Sequence, residues 1–111
     1  MGKLISKNSK GEIIELGGYR FYNYFINCSN MNLIDVFSIP NELNALYSHN
    51  NQLTSLPELP KNLTHLACED NNIKQLPNLR ELEKLEKVWC DICCFESYML
   101  EMKNVDFTFF C

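Results

Sequence analysis

Several absences narrow what this chain does. Its glycines number only 4, and none of them forms the Gly-rich loop that cradles phosphates. Lysine and arginine (10) are outnumbered by aspartate and glutamate (14), for a formal net charge of −4. No basic footprint for a nucleic acid follows from that balance. No apolar run approaches the length of a membrane span, and the N-terminus lacks the long apolar stretch of a secretory signal. Long linkers and low-complexity segments are missing too. A chain of 111 residues suits one domain with a modest core.

What is present is a repeat. Leu43, Leu46, Ser48, Asn51, Leu53, Leu56 and Pro57 recur as Leu63, Leu66, Cys68, Asn71, Ile73, Leu76 and Pro77, each twenty residues on. The shared pattern L-x-x-L-x-[small]-x-x-N-x-[LI]-x-x-L-P is the leucine-rich-repeat signature, a short strand followed by a turn. Along the strand, side chains alternate at period two, so Leu46, Ser48, Leu66 and Cys68 point inward. The Asn amide serves backbone donors and acceptors of its own turn and of the next coil. Pro57 and Pro77 hold the return segment extended. One coil cannot bury its apolar side alone, and stacking makes the core continuous.

The register extends both ways. Twenty residues before Leu46 stands Ile26, followed by Cys28, Leu33 and Val36, with Met31 in the Asn place. After Leu66 the step lengthens to twenty-two, and Leu85, Val88, Cys90, Cys93, Phe95 and Tyr98 fit, with Cys93 in the Asn place. About four coils result, near the minimum a solenoid needs. The 6 cysteines fit this register better than a disulfide framework, since Cys28, Cys68 and Cys90 share one inward position with Ser48. Reduced thiols and a cytoplasmic compartment (host cytoplasm or virion, for a viral protein) are expected.

Residues 1–22 read as an N-terminal cap. Lys3–Ser6 and Glu12–Leu16 flank Lys7-Asn8-Ser9-Lys10-Gly11 as a β-hairpin, followed by Gly17-Gly18 and the aromatic run Tyr19–Phe25. Residues 23–98 hold the repeats, and 99–111 form a C-terminal cap. Arg80–Lys84 is a longer convex connection with room for a turn of helix, Glu96–Asn104 is weakly helical, and Val105–Phe109 alternates as a last strand.

The phrase Leu56-Pro57-Glu58-Leu59-Pro60-Lys61-Asn62-Leu63-Thr64-His65-Leu66 resembles the short repeats of bacterial effectors of the YopM and IpaH type, and similar arrays occur in proteins of large DNA viruses. The resemblance covers about two thirds of the chain. It implies an α/β-type leucine-rich-repeat solenoid with a parallel sheet on the concave side and a mostly extended or irregular convex side. It also implies a binding scaffold. Effector ubiquitin ligases append a catalytic domain, which is not expected here because the chain ends at Cys111.

Chemistry-bearing candidates have simpler explanations. Cys90-Asp91-Ile92-Cys93 is a C-x-x-C, half of a zinc site, but no second pair stands at ligand spacing. His49, His65, Glu69, Asp70 and Asp91 carry acid–base groups without a nucleophile in a recognisable motif. Met1-Gly2-Lys3-Leu4-Ile5-Ser6 matches the acylation pattern M-G-x-x-x-[ST], yet the hairpin claims the same residues, and no membrane partner is expected. No metal, cofactor, catalytic residue or nucleic-acid partner is assigned.

The expected function is non-catalytic protein binding. Outward rows on the sheet are Phe25, Ala45, His65 and Lys87; then Asn27, Tyr47, Ala67 and Trp89; then Ser29, His49, Glu69 and Asp91. Partner contacts are expected from Tyr47, His49, His65, Glu69, Lys87, Trp89 and Asp91. Tyr47 and Trp89 should flank a notch over Ala67, and Glu69 with Asp91 should favour a basic rim on the partner. The alternative is a structural or assembly component, such as a virion protein, that packs or self-associates through its terminal strands.

Overall fold

The computed structural model describes residues 2–20 and 22–111. Met1 of the acylation pattern and Phe21 of the aromatic run lie outside the described residues. The chain begins as the expected hairpin, β1 (Leu4–Asn8) against β2 (Ile13–Leu16), with Leu4 opposite Leu16 and Lys7 opposite Ile13. Its turn is built by Asn8, whose Oδ1 accepts the N–H groups of Lys10 (3.0 Å) and Glu12 (2.9 Å). Gly11, at φ 82°, takes the left-handed position that a side chain disfavours. Inward Leu4 and Ser6 are fully buried, and Ser6 Oγ satisfies itself on the Ile14 carbonyl (3.0 Å).

A short strand β3 (Tyr19–Arg20) turns back antiparallel onto β4 (Tyr24–Asn27). From β4 the chain winds as a solenoid-like stack of about four coils. Each coil returns a strand to the same sheet: β6 (Ala45–Tyr47), β7 (His65–Ala67), β8 (Lys87–Asp91) and β9 (Asp106–Phe110), in the order β3-β4-β6-β7-β8-β9 and parallel from β4 onward. The pairs are Ile26–Leu46–Leu66–Val88–Phe107 through the middle of the strands, so the twenty- and twenty-two-residue steps both hold.

Behind this sheet lies the core. Ile26, Leu46, Leu66 and Val88 make one fully buried ladder, and Cys28, Ser48, Cys68 and Cys90 make the next. Leu33, Leu53 and Ile73 close it from the return side. Ser48 tolerates burial because its hydroxyl donates to the Ala67 carbonyl (3.1 Å).

The first return segment is β5 (Leu33–Ser38), which pairs antiparallel with β1. The small sheet β2-β1-β5 thus ties the hairpin to the back of the first coil. Leu33 and Val36 face inward there, while the backbone of β1 finds a second partner that a bare hairpin would lack. Further on, the back of the stack is irregular.

Three local expectations change. Arg80–Lys84 holds no helix. Leu79, Leu82 and Leu85 are all buried, and successive turns join them (Leu82 N to Leu79 O, 3.1 Å; Leu85 N to Leu82 O, 3.2 Å). Glu96–Asn104 contains one short 3₁₀ helix, Ser97–Glu101, so helix is confined to 3₁₀ turns among the described residues and the α component of the expected α/β class is not seen. The last coil also slips by one residue. Cys94 and Met99 are buried, whereas Cys93 and Phe95 are exposed.

The slip has a backbone cause. Asn30 (φ 58°), Asn50 (57°) and Asp70 (55°) stand at equivalent turns in the left-handed region, which Asn and Asp tolerate. The equivalent residue in the fourth coil is Ile92, whose branched Cβ opposes that conformation. There the chain turns through a 3₁₀ helix, Ile92–Cys94, instead.

Candidate functional site

The outer face of the six-stranded sheet brings the expected rows together. Phe25, Ala45, His65, Lys87 and Asp106 line up across the strands, as do Asn27, Tyr47, Ala67, Trp89 and Thr108. Period-two alternation places these side chains opposite the core. Tyr47 meets Phe25 edge to face at 6.3 Å, and Phe25 meets Tyr19 at 5.9 Å. Further along, the His65 ring stacks on Trp89 at 6.3 Å, with Lys87 Nζ 5.9 Å from the indole centroid. The result is an aromatic band, half-buried except for the exposed Tyr19, large in area and cheap in side-chain entropy to immobilise.

Ala67 is 4% exposed and Ala45 0%, so these small residues offer almost no surface of their own between the larger side chains. Tyr19 joins the band and was not expected to. Its signal in the sequence was the tight reversal that sets Tyr19 opposite Phe25 and Arg20 opposite Tyr24.

The charged members are more committed than the sequence suggests. Lys87 Nζ lies 4.0 Å from Asp106 Oδ2 in an exposed pair, which is worth little. Asp91, at the end of β8, holds the turn of the coil before: Oδ1 accepts the Asp70 N–H (2.9 Å) and Oδ2 the Asn71 N–H (3.3 Å). In the coil before, the matching N–H groups of Asn50 and Asn51 go to the backbone carbonyls of Glu69 (3.0 Å) and Asp70 (3.2 Å). His49 and Glu69 sit half-buried beside each other in the third row, and His49 Nδ1 and Glu69 Oε1 each lie buried without a hydrogen-bond partner. His65 Nδ1 is 2.8 Å from Thr64 Oγ1, whose hydroxyl reaches the Asn44 carbonyl at 3.0 Å.

No family model matches the chain, and no curated protein sequence matches it either. Function therefore rests on the residues themselves.

The asparagines that mark the repeat are structural. Asn51 Oδ1 accepts from Leu33 N (3.0 Å) and Met31 N (3.1 Å), while Nδ2 donates to the carbonyls of Cys28 (2.9 Å) and Ser48 (3.1 Å). Asn71 repeats the arrangement on Leu53 N (2.9 Å), Ser48 O (3.0 Å) and Cys68 O (3.2 Å). Cys93, in the same place of the last coil, offers only a thiol contact to Ile73 O (3.4 Å), which buried Cys94 shares at 3.2 Å.

Burial pushes the Cys28 and Cys90 thiols up to about 12 and Cys94 up to about 11, with Cys68 also well above its usual value. Such thiols keep their protons at neutral pH and are poor nucleophiles. Among the described residues no three His, Cys, Asp or Glu side chains converge as a metal site. No helix among them is long and apolar enough to cross a membrane. A surface groove lies between the connections at the back of the coils, lined by Glu58, Leu59, Lys61, Arg80, Glu83 and Lys84. Its charges alternate in sign and it holds no aromatic anchor.

Proposed function

We propose that this chain is a small leucine-rich-repeat module that binds a protein partner, without catalysis, through the concave outer face of its parallel sheet. The observation that carries this reading is the aromatic band formed by Tyr19, Phe25, Tyr47, His65 and Trp89. Rings gathered on one face of a repeat stack fit the anchors of an interface, where a few aromatic residues supply most of the binding energy. Of the polar residues that could suggest other chemistry, Asp91 is occupied with holding a turn. The back groove is set aside because its lining mixes charges of both signs and it lacks an aromatic anchor. Tyr47 and Trp89 are the anchors, His65 and Lys87 extend the surface around the indole, and His49 and Glu69 supply polar contacts at the turn edge. Asp91 contributes its negative charge from a fixed position, and with Glu69 it favours a partner with a basic rim. The free, mostly buried cysteines support a cytoplasmic compartment shared with the partner.

The test is Tyr47→Ala with Trp89→Ala, in protein whose circular dichroism and melting match the parent. Partners captured by the parent chain are identified by mass spectrometry and titrated against both proteins. A loss of at least tenfold in affinity, about 1.4 kcal/mol, supports the reading. Unchanged affinity for every directly binding partner moves the site off the sheet face.

A further inference from the structure

We propose that two copies of this chain associate edge to edge through β9, in a twofold antiparallel pairing centred on Thr108. Strand β9 is the last of the six-stranded sheet, and among the described residues no strand pairs with its outer side. The Asp106 N–H bonds to the Glu86 carbonyl (2.8 Å), and the parallel register then turns the backbone groups of Asp106, Thr108 and Phe110 toward β8. Those of Phe107 and Phe109 point outward.

Exposed edges are ordinarily blunted by charge, proline, a bulge or brevity. Strand β9, with the sequence DFTFF, has no such guard beyond Asp106, which already faces Lys87. The other edge of the same sheet is guarded: β3 has 2 residues and carries Arg20. The edges of the small sheet carry Glu15 on β2 and Asp35 on β5. One open edge opposite a blunted one disfavours a head-to-tail filament and leaves the closed pairing of β9 with itself.

The register follows from the hydrogen bonds. Outward groups must face outward groups, so Phe107 pairs with Phe109 of the second copy, and both such pairs exchange N–H···O bonds. Thr108 then meets Thr108 as a non-hydrogen-bonded pair, with side chains close on the sheet face. This register keeps the whole of β9 in the ladder, whereas a slip to either side leaves its ends unpaired. On the core side, Phe107 stacks on Phe109 at 5.7 Å and Phe95 meets Phe109 at 5.4 Å, forming an incompletely covered end of the stack. The second copy brings the same rings against it. Phe110, 40% exposed, falls opposite Asp106 of the second copy.

The pairing uses the strand edge, and its test reads mass and cross-linking, so it stands or falls apart from the sheet-face reading. Sedimentation of the whole chain should show a monomer–dimer equilibrium. Phe110→Glu, which sets a second acid opposite Asp106, should weaken dimerisation at least tenfold, while Phe110→Lys should retain it. Phe110 is exposed, so neither change should disturb folding, and melting curves check that. In a Cys93→Ser, Cys111→Ser background, Thr108→Cys should form an intermolecular disulfide on mild oxidation, well above a control with Lys74→Cys. A chain that stays monomeric to about 1 mM, with no cross-link above the control, overturns the proposal. A dimer left intact by Phe110→Glu overturns it as well.

Discussion

Replacing Asn51 by alanine tests the hydrogen-bond ladder where it is most buried. The Asn51 amide spans two coils. It accepts from Leu33 N and Met31 N and donates to Cys28 O and Ser48 O, with a longer contact to His49 O at 3.3 Å. The bonds to Leu33 N, Cys28 O and Ser48 O are buried, where water cannot stand in. Each stranded buried group costs about 1–3 kcal/mol. If an alanine-sized void admits one water, part of that is recovered, which leaves a destabilisation of about 2–5 kcal/mol. Asn71→Ala strands partly buried groups and should cost about 1–3 kcal/mol. Asn62, whose side chain only accepts from exposed Lys84 Nζ (3.0 Å), should cost within about 0.5 kcal/mol. Equilibrium urea unfolding gives the three values, with unchanged m as the check that the unfolded state is comparable. Asn51→Asp sharpens the test. A carboxylate still accepts from Leu33 N but aims its second oxygen at two carbonyls, so it should be as damaging as alanine at neutral pH. It should recover below the ordinary carboxyl range, where a proton restores a donor. An Asn51→Ala cost no larger than that of Asn62→Ala would refute the ladder.

Three further outcomes are expected. Because burial holds the Cys28 and Cys90 thiols near 12 while an unfolded thiol titrates near 9.0, the native state keeps protons that the unfolded chain releases. Stability should therefore be full below pH 9 and fall as pH rises toward 12, by about 1.4 kcal/mol per thiol per pH unit, and urea midpoints across that range check it. Cys68→Ser should cost about 1 kcal/mol or less by thermal melting. The equivalent Ser48 already bonds the next coil's carbonyl, and Trp89 O, which accepts from Cys68 N at 2.8 Å, is the matching acceptor. Gly18→Ala should destabilise by about 1–3 kcal/mol, because an added Cβ collides with the fully buried Tyr24 ring; a melting temperature equal to the parent's would contradict that packing.

The stacking register was legible in the sequence because it depends on spacing alone. A constant step from Leu46 to Leu66 fixes which side chain lies beside which, and the pairs from Phe25–Ala45 to Ala67–Trp89 follow without further information. What was not legible depends on contacts distant in the chain or on backbone conformation. The pairing of β5 with β1 joins segments whose own patterns say nothing of each other. The one-residue slip near Cys93 is a case where the side-chain pattern pointed one way and the backbone another. Cys93 matched a permitted variant of the asparagine place, but Ile92 before it does not suit the left-handed turn that Asn50 and Asp70 supply.

The loss of that turn also accounts for Asp91. A coil entered through a left-handed Asn or Asp offers successive carbonyls to the N–H groups stacked against it, as Glu69 and Asp70 do for Asn50 and Asn51. With a 3₁₀ helix starting at Ile92, those carbonyls turn away, and the N–H groups of Asp70 and Asn71 need another acceptor. The Asp91 carboxylate meets both, one oxygen each. Charge-assisted bonds of this kind are stronger than the neutral ones they replace. An acid at the rim of the sheet's outer face thus has a structural origin in the irregularity of one coil. A partner that engages its charge must do so without pulling the carboxylate from those two amides. Asp91→Asn keeps an acceptor for one amide and removes the charge, so it should weaken a basic partner while costing the fold only about 1 kcal/mol. Asp91→Ala should cost about 2–3 kcal/mol of stability besides. If the two variants destabilise equally in urea unfolding, the carboxylate is not holding the turn.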